Sequence, residues 1–489
     1  MKHNRSVLTA AVCLLGASLA GAQTWAPVTN NPGHNLGAML QLRDGRILVH
    51  EEQSGNSANW WILTPDSTGS YKNGTWSSGG QLPSGYKPWF FSSAVFLDGK
   101  TVIVEGGEYN SGQQVETKLG AIGTVTPGGS VTWVANNPPS NWQNIGDAPA
   151  IVLADGRYMQ GNTTTNQSAF YGGPNTWTAN GNIIGRTNNE AGYTLLPNGK
   201  VLLVDAFNVV SGCHGTMSSE LFDPNSNTWS CGAQTPTQLW DNAGHELGPA
   251  NLMYNGKVLQ VGAVPATAVY DPIANTWAPG PTPAGGLDGA DAPGVLEKNG
   301  KVLLMLSPGE FLPGCQFVEY NPALNTLANT ANPPGCPSDS SFVGHLMVLP
   351  TGEIMFTDFS NDVEIYTPQP SPGATLGRPI ISGNGPLQHF TGDGTNNLVT
   401  GLHLNGFSQS TGYGDDYHDD TNYPLVRLTN SATGQVYWGI THDESTHSID
   451  PNAGQMTTLF DLPPGFPRGP QYKMELIANG VASNFLIYQ

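Results

Sequence analysis

Four acids recur in one register of this sequence. Asp147-Ala148-Pro149, Glu190-Ala191-Gly192, Glu246-Leu247-Gly248 and Asp291-Ala292-Pro293 each place a carboxylate two residues before a glycine or proline. Three of the acids lie eight residues ahead of a tight turn, and Glu246 lies nine ahead. A carboxylate at the entrance of a buried strand is costly unless something compensates it. Four of them close together cannot all stay ionised without a metal ion, retained protons, or local cationic and N–H partners. A set of oxygen ligands suits Ca²⁺, and nearby imidazoles would shift the preference toward Zn²⁺ or another transition metal. His345 is such an imidazole, two residues past Val343, the matching position of another repeat, and on the same strand face. If their environments push two of the acids apart in pKa, the pair would serve as general acid and base. The competing role is structural, with each acid accepting hydrogen bonds from neighbouring backbone.

Other residues fall at the same level of the repeats. Lys87-Pro88-Trp89-Phe90-Phe91 sets aromatic rings at the matching strand start of the second repeat. Trp89 and Phe90 are candidates to stack on a sugar or to pack between repeats. His245, directly before Glu246, is a further candidate for substrate contact. Glu105 and Glu108 close an apolar run in the second repeat, and GYGDDYHDD (Gly412 to Asp420) is an acidic loop with Ca²⁺-binding composition or simply a solvated one. The chain has no G-x-S-x-G, no H-E-x-x-H and no phosphate-cradling Gly-Lys-Ser loop.

The elements that must position these groups come from a repeat. LRDGRILV, FLDGKTVIV, LADGRYM, LPNGKVLLV, MYNGKVLQV, EKNGKVLLM and LPTGEIMF each flank a turn with apolar runs. Their first turn residues, Asp44, Asp98, Asp155, Asn198, Asn255, Asn299 and Thr351, are 43 to 57 residues apart. Asp-Gly and Asn-Gly favour hairpin turns, so each signal joins two antiparallel strands. After most hairpins a third strand follows and a fourth ending in an aromatic, as in ELFDPNSNTW and AVYDPIANTW, with Leu327 in that position of the sixth repeat. Seven units of four strands predict an all-β fold, a seven-bladed β-propeller over residues 23–372. The seventh unit lacks its fourth strand, and Gln23-Thr24-Trp25 supplies a sequence that closes the ring and leaves no open edge. Residues 373–489 read as a C-terminal immunoglobulin-like β-sandwich. In a propeller the four acids, each at the start of an innermost strand, converge around one mouth of the channel.

Residues 1–22 carry a basic start, an apolar run and Ala20-Gly21-Ala22, the pattern of a cleaved signal peptide. No later run is long enough to span a membrane as a helix. A secreted or periplasmic protein is expected. After cleavage Cys213, Cys231, Cys315 and Cys336 remain; three pairings are open, and the local one, Cys213 with Cys231 and Cys315 with Cys336, suits an oxidising compartment. A net charge of −19 with only 18 Lys plus Arg excludes nucleic acid and anionic membrane surfaces as partners. A closed ring with a covering domain needs no partner for stability, so a monomer is expected.

The apolar hairpins followed by Tyr-Asp and Trp resemble kelch-type repeats. Seven of them ahead of a β-sandwich resemble the galactose oxidase and glyoxal oxidase family over nearly the whole mature chain. That resemblance implies a copper centre of two tyrosines and two histidines, with one tyrosine cross-linked to a cysteine. Here Asp147 stands where the cysteine would be, Glu190 replaces the cross-linked tyrosine, and Phe342-Val343 replace a tyrosine–histidine pair. Thr446-His447-Ser448 is similar to the context of the remaining histidine, which in the family is delivered up the channel by a C-terminal loop. His447 is thereby a second candidate metal ligand, and Thr441 to His447 the segment that would carry it. No phenoxyl radical forms where no phenol exists, so radical copper chemistry is not expected.

Three functions follow as expectations. The first is an axial carboxylate pocket that binds a metal ion, a carbohydrate or a polyol, with Asp147, Glu190, Glu246 and Asp291 as acid/base residues. The second is a non-catalytic extracellular glycan-binding module, and the third a divergent metal-dependent oxidase without the tyrosyl radical.

Overall fold

The computed structural model describes residues 23–206, 209–370, 377–383, 385–408, 411–412 and 422–489. The signal-peptide segment 1–22, the domain boundary at 372/373 and most of the acidic GYGDDYHDD loop lie outside the described residues. Among the described residues all regular structure is β apart from three short 3₁₀ turns.

The seven turns explain their own sequence. In each, the glycine alone has positive φ, from 76° at Gly352 to 89° at Gly300, while the preceding Asp, Asn or Thr does not. That preceding side chain accepts a hydrogen bond from the N–H two residues on, as Asp44 does from Arg46 (3.3 Å), Asn198 from Lys200 (3.1 Å) and Thr351 from Glu353 (3.3 Å). The residue type is thus selected for capping its own turn, and the glycine for the left-handed step that re-enters the second strand. The turn is therefore longer than a two-residue hairpin with both residues at positive φ.

Each turn links the two inner strands of a four-stranded antiparallel sheet. In blade 3 the order is Ala150–Val152, Tyr158–Gly161, Ser168–Tyr171 and Trp177–Ala179. Blades 1, 2, 4, 5 and 6 repeat this order. Blade 7 takes three strands from residues 345–367 and its fourth from Thr24–Pro27, with Trp25 opposite Tyr366. Innermost strands touch in sequence around the ring, and the first, Leu36–Gln41, meets the last, His345–Val348. Seven blades thus close a β-propeller. Tryptophans at outer strands tie neighbours together: the indole N–H groups of Trp25, Trp76, Trp133 and Trp177 donate to carbonyls of the preceding blade at Ala331, Asn30, Gly79 and Asn137.

The C-terminal domain is one seven-stranded sheet rolled so that its edges approach, with Gln388 bridging Tyr488. It packs its inner face around Val426, Leu428, Phe460 and Met474. This domain covers the hairpin end of the propeller. Trp438 lies so close to Gly45 that a Cβ there would come within 2.5 Å of its ring. The Tyr423 hydroxyl donates to the Gln41 carbonyl. A further strand, Thr411–Gly412, pairs with the innermost strand of blade 6 at Gly294 and Val295. Two disulfides, Cys213–Cys231 and Cys315–Cys336, clip loops of blades 4 and 6. No helix among the described residues is long and apolar enough to cross a membrane.

Candidate functional site

With the hairpin end covered, the opposite mouth holds a cavity of about 290 Å³. Its lining consists of Glu108, Asp147, Glu190, Glu246, Asp291 and Glu310 together with Trp89, Phe90, Tyr109, Phe311 and Phe342. Among the described residues every lining side chain is a carboxylate or an aromatic ring. Lys87, which begins the aromatic motif, instead bonds Asn56 at 3.1 Å.

Innermost-strand starts position the four acids of the shared register. Asp147 precedes Ala150–Val152 and is 5 % exposed, with its carboxylate accepting from the Thr163 hydroxyl at 2.7 Å. Glu246 abuts Leu247–Leu252, where the pairing register shifts between Leu247 and Ala250. That bulge absorbs the extra residue of blade 5 and returns Glu246 to the level of the others. Glu190, Glu246 and Asp291 each bring one carboxylate oxygen within 4.8 Å of the other two. Glu190 (φ 56°), Asp291 (φ 45°) and Phe90 (φ 50°) all hold a left-handed backbone. Non-glycine residues seldom adopt it, and such strain gathers at functional sites.

Burial is the main cause of the electrostatics. It pushes Glu108 up to about 8, helped by Asp147 and Glu246 and opposed by the hydrogen bond from Gln114. Glu310 also reaches about 8 through burial and then through Glu246, Asp241 and Glu108. Glu116, behind Asp147, is likewise pushed to about 8 by burial, Asp147 and Glu108. Asp147 itself is raised by burial, with Thr163 working against the rise. Glu246 is raised by burial, against hydrogen bonding with Glu190 and Asp291. The mouth therefore holds several protons at neutral pH.

The histidines lie elsewhere. His245 stacks on Trp240, centroids 5.0 Å apart, and is not among the side chains that line the cavity. His345 begins the innermost strand of blade 7, 4 % exposed, beside Phe359. Burial depresses it to about 3, so it stays neutral. His447 is buried at the hairpin end, where its backbone N–H donates to the Ala154 carbonyl (2.9 Å) and its ring faces Leu40, Val95 and Val152. Thr441 to His447 thus stops at the covered face, because Glu444 is anchored to Arg43 there. Among the described residues, the one group of three or more close metal-ligating atoms is Glu190, Glu246 and Asp291; neither His345 nor His447 joins it.

Loops supply the groups that the repeat register does not mark. Glu310 and Phe311 come from the loop after Val302–Leu306, and Glu108 and Tyr109 from an excursion of blade 2. Of these, only Glu108 had a sequence signal, at the end of an apolar run. Glu105 is fully buried away from the cavity and bonded to Asn136 at 2.6 Å.

No protein-family description and no curated protein sequence matches the chain. Solved structures do match by shape. A fungal alcohol oxidase of the AA5 family, in complex with copper, is 12 % identical over 95 % of this chain and 99 % of its own, with a TM-score of 0.38. Virginiamycin B lyase from Staphylococcus aureus is 10 % identical over 71 % of this chain and 99 % of its own, with a TM-score of 0.44. A catalytically inactive variant of that lyase with quinupristin is 9 % identical over the same shares, with a TM-score of 0.47.

Proposed function

We propose that this chain is a secreted propeller protein whose axial mouth binds a carbohydrate or polyol, with the mouth carboxylates acting as acid and base. The observation that carries this reading is that, among the described residues, six carboxylates and five aromatic rings line the cavity. Rings stack on the C–H faces of a sugar and carboxylates accept from its hydroxyls. Asp147 and Glu246, both raised by burial, are proton-holding members, and Glu190 and Asp291 supply the base. In this reading residues 1–22 are a cleaved leader, 23–372 the propeller and 373–489 an accessory domain, and the protein works as a monomer.

Radical copper chemistry does not fit these residues. Among the described residues the lining offers one phenol, Tyr109, and neither imidazole nor thiol. A hard divalent cation is a second reading, favoured by the three oxygens of Glu190, Glu246 and Asp291 within 4.8 Å of one another. It would polarise a bound hydroxyl at the same mouth.

The test is binding and product analysis over a panel of oligosaccharides and polyols, with peroxide release recorded in parallel. Turnover lost in Glu190→Gln and Asp291→Asn supports the enzyme. Binding without product assigns a glycan-binding module, and peroxide release assigns an oxidase. Binding and turnover unchanged in both variants would place the function away from this mouth.

A further inference from the structure

The ligand at this mouth has a charge that can be argued from the lining. Five rings form a connected wall: Trp89 stacks on Phe90 (4.5 Å), Phe90 meets Tyr109 (6.2 Å) and Phe342 (6.5 Å), and Phe342 meets Phe311 (5.2 Å). Aromatic faces attract organic cations, more strongly where water is excluded. The carboxylates complete the enclosure, and among the described residues no Lys, Arg or His side chain lines it. Crowded carboxylates keep protons in place of a counter-charge, as Glu108 and Glu310 do, and a neutral sugar leaves those protons where they are. An ammonium group takes the place of such a proton, which leaves to solvent, and brings N–H donors for oxygens that, once ionised, can only accept. The volume, about 290 Å³, is at the small end of ligand pockets.

We propose that the mouth recognises an amino sugar, with the ring stacked on the aromatic wall and the protonated amine among the Glu190, Glu246, Asp291 and Glu310 carboxylates. This inference rests on the carbohydrate reading above and names its substrate class.

Calorimetric titration of the full-length mature protein, stripped of metal with chelator, tests it near pH 6. The probes are short oligomers of glucosamine and N-acetylglucosamine oligomers of the same length. The free amine should bind at least about tenfold tighter than the acetylated form. That preference should shrink in Glu310→Gln, and affinity should fall in Phe311→Ala; both residues lie in one surface loop, and Phe311 is 68 % exposed. Competition by Ca²⁺ against the amine would further support a shared cation position. Equal affinity for the two oligomers overturns the inference and leaves the carbohydrate reading standing. Binding of neither, or binding indifferent to both variants, overturns the two together.

Discussion

Arg43 of blade 1 and Glu444 of the C-terminal domain, 401 residues apart, form a bidentate ion pair with both bonds at 2.8 Å. Neither side chain is more than 2 % exposed. The guanidinium also lies 4.2 Å from the centre of the Tyr423 ring. Because Arg43 sits in the first hairpin turn, the pair fastens the second domain to the covered end of the ring.

Removing one partner leaves a buried charge uncompensated. Arg43→Met is expected to cost about 3–5 kcal/mol in denaturant unfolding, whereas Arg43→Met combined with Glu444→Leu should cost much less. Burial alone would raise the Glu444 pKa, but Arg43 and His447 outweigh it and leave it below the usual 4.5. The stability this group contributes is therefore present above the unfolded value and lost as acid protonates the folded carboxylate. Acid unfolding should begin at higher pH in Arg43→Met.

The mouth acids work in the opposite direction. With Glu108, Glu116 and Glu310 at about 8 against an ordinary 4.5, the folded protein holds protons that the unfolded chain has released. Stability is then fully present below the unfolded value and falls as pH rises from about 4.5 to about 8. Glu297 and Glu364, also pushed to about 8, add to the same slope. A Glu108→Gln/Glu310→Gln variant should show a flatter melting temperature between about pH 5 and about pH 8, and the difference from the parent isolates the mouth.

A divalent cation held by Glu190, Glu246 and Asp291 would stabilise the fold by mass action. Ca²⁺ at about a hundred times its dissociation constant should add about 2.7 kcal/mol, read as a rise in melting temperature. Glu246→Gln should remove most of that rise. No rise with Ca²⁺, Mg²⁺, Mn²⁺ or Zn²⁺ would end the cation reading.

Ring closure depends on Trp25. Its ring meets Phe317 and Tyr366 at 4.9 Å and Phe356 at 5.6 Å, spanning blades 6 and 7. Trp25→Ala should cost about 3 kcal/mol, and deletion of residues 23–30 should lower the cooperativity of the whole propeller. An unchanged melting curve for the deletion would show that the fourth strand of blade 7 is dispensable.

What the sequence determined by itself was whatever short-range chemistry writes. The turn at Asp44-Gly45 is specified within a few residues, because Asp44 caps the Arg46 N–H and Gly45 takes the left-handed step. Repeated seven times between apolar runs, that signal yields the blades. The shared register of Asp147, Glu190, Glu246 and Asp291 was legible for the same reason, since it is measured from the turn. The tertiary structure decided what no local rule encodes. Loop length and packing carry Glu310, Phe311 and Tyr109 to the mouth from outside the register. Likewise, the Thr441–His447 segment stops at the hairpin end because its own Glu444 is held by an arginine 401 residues away. Such placements depend on contacts between distant elements of the closed ring and its covering domain, and the charge and burial that define the cavity arise only when those contacts form.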